Sequence, residues 1–394
     1  MLKPLEGIRI LEWGIYYAGP GASAILSDMG AEVIKIEQPV TGDPFRQFNK
    51  SNLEIEGDTN ILFQSANRGK KSITIDLTHA DGRKIAYDLV ARSDIFLTNL
   101  RSTTINKMKM DYSSLAKINP RLIYAKVNAY GTRGPDADRG GFDPQGQARS
   151  GMMYSLGDSE PRLIPFGIVD HTTAIMASYQ MMIALLMRER FGIGQEVDIS
   201  LLGTASYLMY IGNILTLGRD QALSRDGEIS PLRTHYQCQD GKWLILRMPE
   251  RDWTKVCQLL CCTSLENDQR FNDMTKRLIN AKELISIFKK AFASKPRSEW
   301  LQLFNDKDLV ICAVNTQMDA LNDPQMIENG YVVDFEHPDM GNIKIPGFPI
   351  HFSQAEVKNT LVAPKLGENT TEILHDMLSY PQEEIDKLRV RGVI

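Results

Sequence analysis

The chain has 394 residues, 43% hydrophobic and 24% charged, the balance of an ordinary soluble globular protein of roughly two to three domains. With 45 Lys and Arg against 49 Asp and Glu the formal charge is −4, so no basic field exists to draw in nucleic acid. No run of about 18 apolar residues occurs, the opening MLKPLEGIRILEWG does not read as a secretory signal, and an odd five cysteines favour a reducing cytoplasm over a disulfide framework. The most apolar stretch, TAIMASYQMMIALLM, is interrupted by Ser178, Tyr179 and Gln180.

Short β-branched runs open the chain and predict strands over Ile8–Trp13, Glu32–Glu37, Ser72–Asp76, Asp94–Thr98 and Leu122–Val127. Helical periods near 20–29, 80–92 and 102–118 lie between them. Near-continuous apolar strands alternating with helices predict an α/β fold with a parallel, doubly wound sheet covered on both faces. A loop with Asp158, Glu160, Pro161 and Pro165 then leads to a long helix over about 171–190, which ends where Gly192 and Gly194 can take a left-handed cap. A strand at Glu196–Ser200 and an apolar helix through about Leu217 follow.

A polar linker is predicted over 218–230 and a second, smaller α/β domain over about 231–330. That domain opens with a strand pair turning at Asp240-Gly241. Helices near 250–260, 280–293 and 297–305 and a strand at 308–314 complete it. The large domain is taken as 1–217, with 345–394 returning to it through closing helices near 368–378 and 382–390.

Several motifs suggest chemistry. Gly19-Pro20-Gly21-Ala22-Ser23-Ala24 has the spacing of a dinucleotide loop, with Glu37 placed like a ribose acid. Four residues, Ile15 to Ala18, however, separate the strand end at Gly14 from the first glycine, which disfavours a nicotinamide site. The basic Arg68-Gly69-Lys70-Lys71 lies at the wrong end of its strand for a phosphate, whereas Asn99 and Arg101 follow the fourth strand on the ligand side. Cys257, Cys261 and Cys262 match no zinc spacing and read as a buried helical face. No G-x-S-x-G turn occurs, which weighs against a hydrolase nucleophile.

Asp170 remains, just before the long helix. One reading is an N-cap that accepts backbone N–H groups. The other is a nucleophile held ionised by the helix dipole, with Phe166, Ile168 and Val169 keeping water scarce.

The segments KPLEGIRILEW, AGPGASAILSDMGAEVIKIEQP, TGDPFR, NRGKKSITIDL, DIFLTN, NPRLIYAKVNAYGTRGP, GFDPQGQARSG, GIVDHTTA and RFGIGQEVDISLL run in order through the first 200 residues. Together they resemble the class III CoA-transferases (CaiB/BaiF type), the group containing formyl-CoA transferase and L-carnitine CoA-transferase. The resemblance implies transfer of CoA from an acyl-CoA to a free carboxylic acid, through an aspartyl mixed anhydride and an aspartyl-CoA thioester on Asp170. It also implies that coenzyme A is bound only as substrate, with no metal or resident cofactor. The CoA contacts it implies are Tyr16, Tyr17, Ala18, Ile75, Thr78, Asn99, Leu100, Lys107, Gly140, Phe142 and Asp143. Its members form interlocked-ring homodimers.

Three departures stand out. Lys107 replaces an arginine, Gln38 replaces a basic residue near the adenosine, and SPLRTHYQCQDG lacks a glycine-rich shielding loop, leaving Tyr17, His235 and Tyr236 as candidate shields. Tyr16, Tyr17 and Phe48 are expected at the acyl end, with Arg46 available for a second carboxylate. Two alternatives remain. An α-methylacyl-CoA racemase is disfavoured because Gly141-Phe142-Asp143 lacks the histidine such enzymes place before the aspartate. A non-catalytic CoA-binding subunit is disfavoured by Asp170 itself. His171, one position on, is expected to be structural.

Overall fold

The computed structural model describes residues 2–48, 60–156, 160–217 and 230–394. The expected linker at 218–230, apart from Ser230, and Asp158 of the expected loop lie outside them.

Six parallel strands form the main sheet: β1 (Arg9–Trp13), β2 (Glu32–Glu37), β3 (Lys71–Thr74), β4 (Ile95–Thr98), β5 (Ile123–Asn128) and β6 (Gln195–Ser200). Their order is β3-β2-β1-β4-β5-β6, the doubly wound arrangement expected from right-handed crossovers. Register is set by Arg9 opposite Glu32 and Ile10 opposite both Val33 and Ile95. The strands read as unbroken apolar runs because both faces are covered: all four residues of β4 are buried.

On one face Leu11, Ile34, Phe96 and Tyr124 pack with the helix Ala80–Val90 and with Ile373, Ile385 and Leu388 of the closing segment. Alternate strand residues point the other way, where the helix Ala18–Asp28 covers them and its Ser23 hydroxyl donates to Glu12. The closing segment also shields the free edge of β3. Asn369 Oδ1 accepts from the Ser72 N–H at 3.0 Å and Thr370 Oγ1 from the Thr74 N–H at 3.1 Å, satisfying groups that would otherwise invite another strand.

The chain divides into two compact units, residues 1–154, 162–214 and 329–394 in one and 155–161 and 215–328 in the other. The second unit carries the antiparallel sheet of β7 (His235–Gln237), β8 (Trp243–Leu246) and β9 (Ile311–Val314). Gly241, at φ 75°, makes the β7–β8 turn. Three helices, Trp253–Leu259, Ala281–Phe292 and Arg297–Asn305, pack an aromatic core of Tyr236, Phe288, Phe292 and Trp300 against that sheet.

Several expectations are corrected. The helix expected over 102–118 is two short ones, Ser102–Lys107 and Tyr112–Leu115. Lys109 takes φ 56° between them and the Asp111 carboxylate caps the second. The helix expected to run through Leu217 restarts at Tyr210 after Leu208. A hairpin of β10 (Val332–His337) and β11 (Gly341–Pro346), absent from the sequence reading, belongs to the first unit. Among the described residues no helix is long and apolar enough to cross a membrane.

Candidate active site

In a doubly wound sheet ligands bind beyond the carboxyl ends of the strands, where the order reverses. Here that point lies between β1 and β4. The segments leaving β1 and β4, together with the end of β5 and the start of the long helix, enclose a cavity of about 440 Å3. Its wall includes Tyr16, Tyr17, Ala18, Asn99, Leu100, Gly140, Phe142 and Asp170.

The loop after β1 is held in an unfavourable shape. Tyr16 sits at φ 59°, a left-handed conformation that a bulky side chain adopts at a cost of order 1–3 kcal/mol. Its neighbours enforce it. Asn99 Oδ1 accepts from the Ile15 N–H at 2.9 Å while Asn99 Nδ2 donates to the Ile15 carbonyl at 2.7 Å. Asp43 Oδ1 accepts from the Tyr16 N–H at 3.1 Å, and Lys35 Nζ donates to the Gly14 carbonyl at 2.8 Å. The Asn99 amide is therefore occupied as a brace for the loop.

Beneath the loop lies a buried ionic cluster. Glu12 pairs with Lys35 and Lys70, each at 2.7 Å, and Lys35 pairs with Asp43 at 3.0 Å. Burial alone would raise the Glu12 carboxyl, but the two ammonium groups hold it down at about 2. Glu37, placed by its spacing as a ribose acid, is likewise internal: Arg46 grips it twice, at 2.8 and 2.6 Å, and Ser72 donates to it. Arg46 also lies over the Phe63 ring. That commitment corrects the expectation that Arg46 would receive a second substrate carboxylate.

The two glycines of the G-x-G motif serve packing. A Cβ at Gly19 would press on the Asn99 side chain at 3.1 Å, and one at Gly21 would press on Ala174 of the long helix at 3.1 Å. The basic Arg68–Lys71 stretch is committed to ion pairs: Arg68 grips Asp28 and Lys70 meets Glu12 inside, while Lys71 meets Glu32 and Glu372 at the surface. Among the described residues no cysteine or histidine cluster could hold a metal.

The long helix runs from Ile168 to Phe191 and ends, as expected, at a left-handed Gly192. Its start differs from the N-cap reading. Phe166 and Gly167 turn the chain at φ 68° and 64°, and Asp170 is the third helical residue. The cap comes from Asp143, whose Oδ2 accepts from the Val169 N–H at 2.6 Å and the Asp170 N–H at 3.0 Å. Gln147 locks Asp143 by donating to Oδ1, and exchanges two 2.9 Å bonds with the Ile164 backbone. Asp143, expected among the CoA contacts, is thus a support of the helix end.

Among the described residues nothing donates a hydrogen bond to the Asp170 carboxylate. Burial, and then the Asp143 charge, push it up to about 7. This reverses the expectation that helix donors hold it ionised. Of the three apolar residues expected to exclude water, Val169 is buried but Phe166 is 84% exposed.

His171 reaches back towards the site: its Nδ1 shares a 3.0 Å hydrogen bond with the Tyr17 hydroxyl. Burial lowers the His171 pKa and raises that of Tyr17. Of the other candidate shields, Tyr236 is a fully buried core residue stacked on Phe292 with its hydroxyl on the Pro231 carbonyl. His235 packs on Trp243.

Besides Asp143, three expected CoA contacts are not among the cavity-lining residues. Ile75 is buried in the sheet core, Thr78 donates to Asp76 at an exposed turn, and Lys107 lies exposed in the last turn of its helix. Gln38 is exposed and hydrogen-bonds Asp76. The sequence reading left out Lys126, whose Nζ donates to Ser102 Oγ at 2.6 Å on the cavity wall. Its signal was a lone cation near the carboxyl end of an apolar strand. Arg101 lines the same wall and packs over Gly140, where any Cβ would collide with it.

The sequence profile of CoA-transferase family III matches residues 5–370. The chain belongs to that family. It is therefore a class III CoA-transferase, related over its full length to proteins that bear that activity in their names. The succinyl-CoA:glutarate CoA-transferase of Mus musculus is 32% identical over 399 residues, spanning 100% of this chain and 91% of that protein. The (R)-2-hydroxy-4-methylpentanoate CoA-transferase of Clostridioides difficile is 31% identical, with 99% of each chain covered. A CAIB/BAIF family protein from Brucella suis superimposes with a TM-score of 0.85 at 29% identity, over 96% of this chain and 100% of that one.

Proposed function

We propose that the enzyme carries CoA from an acyl-CoA donor to a free carboxylic acid with Asp170 as its covalent nucleophile. An Asp170 oxygen attacks the thioester carbonyl, the C–S bond breaks, and a mixed anhydride and CoA thiolate result. The thiolate attacks the Asp170 carbonyl carbon and displaces the donor's acyl group as its carboxylate, leaving an aspartyl-CoA thioester. The acceptor carboxylate then attacks that thioester, giving a second anhydride. Return of the thiolate to the acceptor carbonyl forms the new acyl-CoA and frees Asp170. Charges balance at every step, and no metal or resident cofactor is required.

The observation that carries this reading is the placement of Asp170 on the cavity wall with Asp143, among the described residues, as the charge that acts on it. The ionised carboxylate is destabilised by burial and by a like charge, so it is a more basic nucleophile than a solvated aspartate. Acylation removes its charge and relieves both penalties, which favours the covalent intermediates. Tyr17, Ala18, Leu100 and Gly140 are assigned to CoA, and Tyr16 and Phe142 to the acyl end of its thioester, on the strength of their place on the wall. Arg101 and Lys126 supply cations for its phosphates. Thr78 and Lys107, both exposed, are assigned to a distal part of CoA beyond the cavity, whereas Ile75 is left to the packing of the sheet core. Tyr17, tied to His171, is the proposed shield of the anhydride.

The working form is proposed to be an interlocked homodimer, supported by the exposed apolar residues Tyr207, Tyr210, Ile211 and Ile214. A cytoplasmic setting is supported by five free cysteines.

Asp170→Ala tests the nucleophile. Transfer should fall by about 10⁴-fold or more, while CoA binding measured by calorimetry persists. A fully active Asp170→Ala protein ends this reading. Solvent deuterium appearing at the acyl α-carbon without CoA transfer would point to the racemase instead.

A further inference from the structure

We infer that the acyl end of the site selects monocarboxylic acids with apolar or aromatic chains, through a wall of Tyr16, Phe48 and Phe142; this rests on the transferase reading and names its substrate class. The Tyr16 ring meets Phe142 edge-on at 5.5 Å and Phe48 edge-on at 6.3 Å. Both phenylalanines are far from core positions: Phe142 is 56% exposed and Phe48 44%. The Tyr16 backbone is held in the left-handed region by Asp43 on its own N–H and by Asn99 on its neighbour Ile15, which sets where the ring leaves the chain.

The wall stands beside the nucleophile. Phe142 immediately precedes Asp143, whose carboxylate holds the Asp170 N–H, and Phe142 and Asp170 line one cavity. An exposed phenyl ring on the cavity of the reacting carboxylate, with Phe48 reaching the same Tyr16 ring from the other side, gains by covering an apolar chain, and an aryl group can add edge-to-face contacts.

Among the described residues, charge weighs against the competing class. A dicarboxylate needs a cation for its second carboxylate. Arg46 is committed to Glu37 and Arg68 to Asp28, each through two nitrogens, while Lys35 and Lys70 are wholly buried against Glu12. Arg101 and Lys126 contact Gly140 and Ser102, the stretch assigned above to the phosphates, and Arg139 on the same wall is paired with Asp136 at 2.8 Å. Asp143 and Asp170 would both repel a second negative charge.

Binding separates this inference from catalysis. Dissociation constants of 3-phenylpropanoyl-CoA and succinyl-CoA are measured by calorimetry on the intact protein, with turnover followed in parallel by mass spectrometry. The aryl ester should bind about 10-fold tighter or better, in line with one or two aromatic contacts. Phe142→Ala and, independently, Phe48→Ala should each erode that ratio, and Phe142→Leu should retain part of it. Equal or tighter binding of succinyl-CoA by the unaltered protein overturns the aromatic wall, whatever the protein turns over. An intact aryl preference in a protein that never acylates Asp170 leaves the wall standing and removes the nucleophile mechanism. A ratio unmoved by both alanine variants, each retaining the fold by circular dichroism, also overturns it.

Discussion

Two clusters of acidic side chains lie within the first unit, and their surroundings drive them in opposite directions. Glu12, a fully buried residue of β1, has two lysines at 2.7 Å and is held down at about 2. Asp170, at the start of the long helix, has a second carboxylate nearby and is pushed up to about 7. Both are partly governed by desolvation, so burial alone does not distinguish them. The sign of the neighbour does. A paired buried charge is architecture, whereas an unpaired one beside a like charge is tension that chemistry can relieve.

The clusters are also linked in purpose. The ionic cluster fixes Gly14 through Lys35 and Tyr16 through Asp43, so it shapes the loop that walls the cavity. The Asp143 cluster instead fixes the backbone of Asp170, the proposed nucleophile.

The comparison can be broken first at Glu12. Glu12→Gln leaves two buried lysines short of a counter-ion and should cost about 3–5 kcal/mol in urea unfolding. Because the folded-state pKa lies below the unfolded one, the Glu12 contribution is fully present above about pH 4.5 and is lost as pH falls towards 2. The variant's deficit should therefore shrink in acid; a deficit independent of pH would detach Glu12 from the pairing.

A smaller effect is expected at the loop brace. Asn99→Ala removes two hydrogen bonds worth about 0.5–1.5 kcal/mol each, and the KM for acyl-CoA should rise by about 10-fold with kcat changing less. An unchanged KM would show that the loop keeps its shape without the brace.

The subtlest change sharpens the other side. Asp143→Asn keeps an acceptor for the helix N–H groups but removes the charge. The rate of transfer should rise with pH through about 7 in the parent enzyme, as Asp170 ionises, and this rise should move to lower pH in the variant. If the profile stays in place, the Asp143 charge does not act on Asp170.

Much of the sheet was legible because its strands carry their own signal: unbroken apolar runs such as IFLT of β4 can only be buried on both faces. Asp170 could be singled out from sequence, since it adjoins the one long helical period. What escaped depends on contacts between residues distant in sequence. The helix cap comes from Asp143, 27 positions before Asp170, so local spacing assigned the capping role to the wrong carboxylate. The commitments of Arg46 to Glu37 and of Asn99 to Ile15 are equally non-local. The β10–β11 hairpin had a local signal, the alternation in Asn342-Ile343-Lys344-Ile345, and could have been found.

The most direct measurement is peptide mass spectrometry after mixing the enzyme with acyl-CoA and quenching with hydroxylamine. An activated aspartyl carbonyl should be converted to a hydroxamate on the peptide that carries residue 170, and Asp170→Asn should abolish the adduct. Turnover with that peptide unmodified at every time point would contradict a covalent role for this side chain.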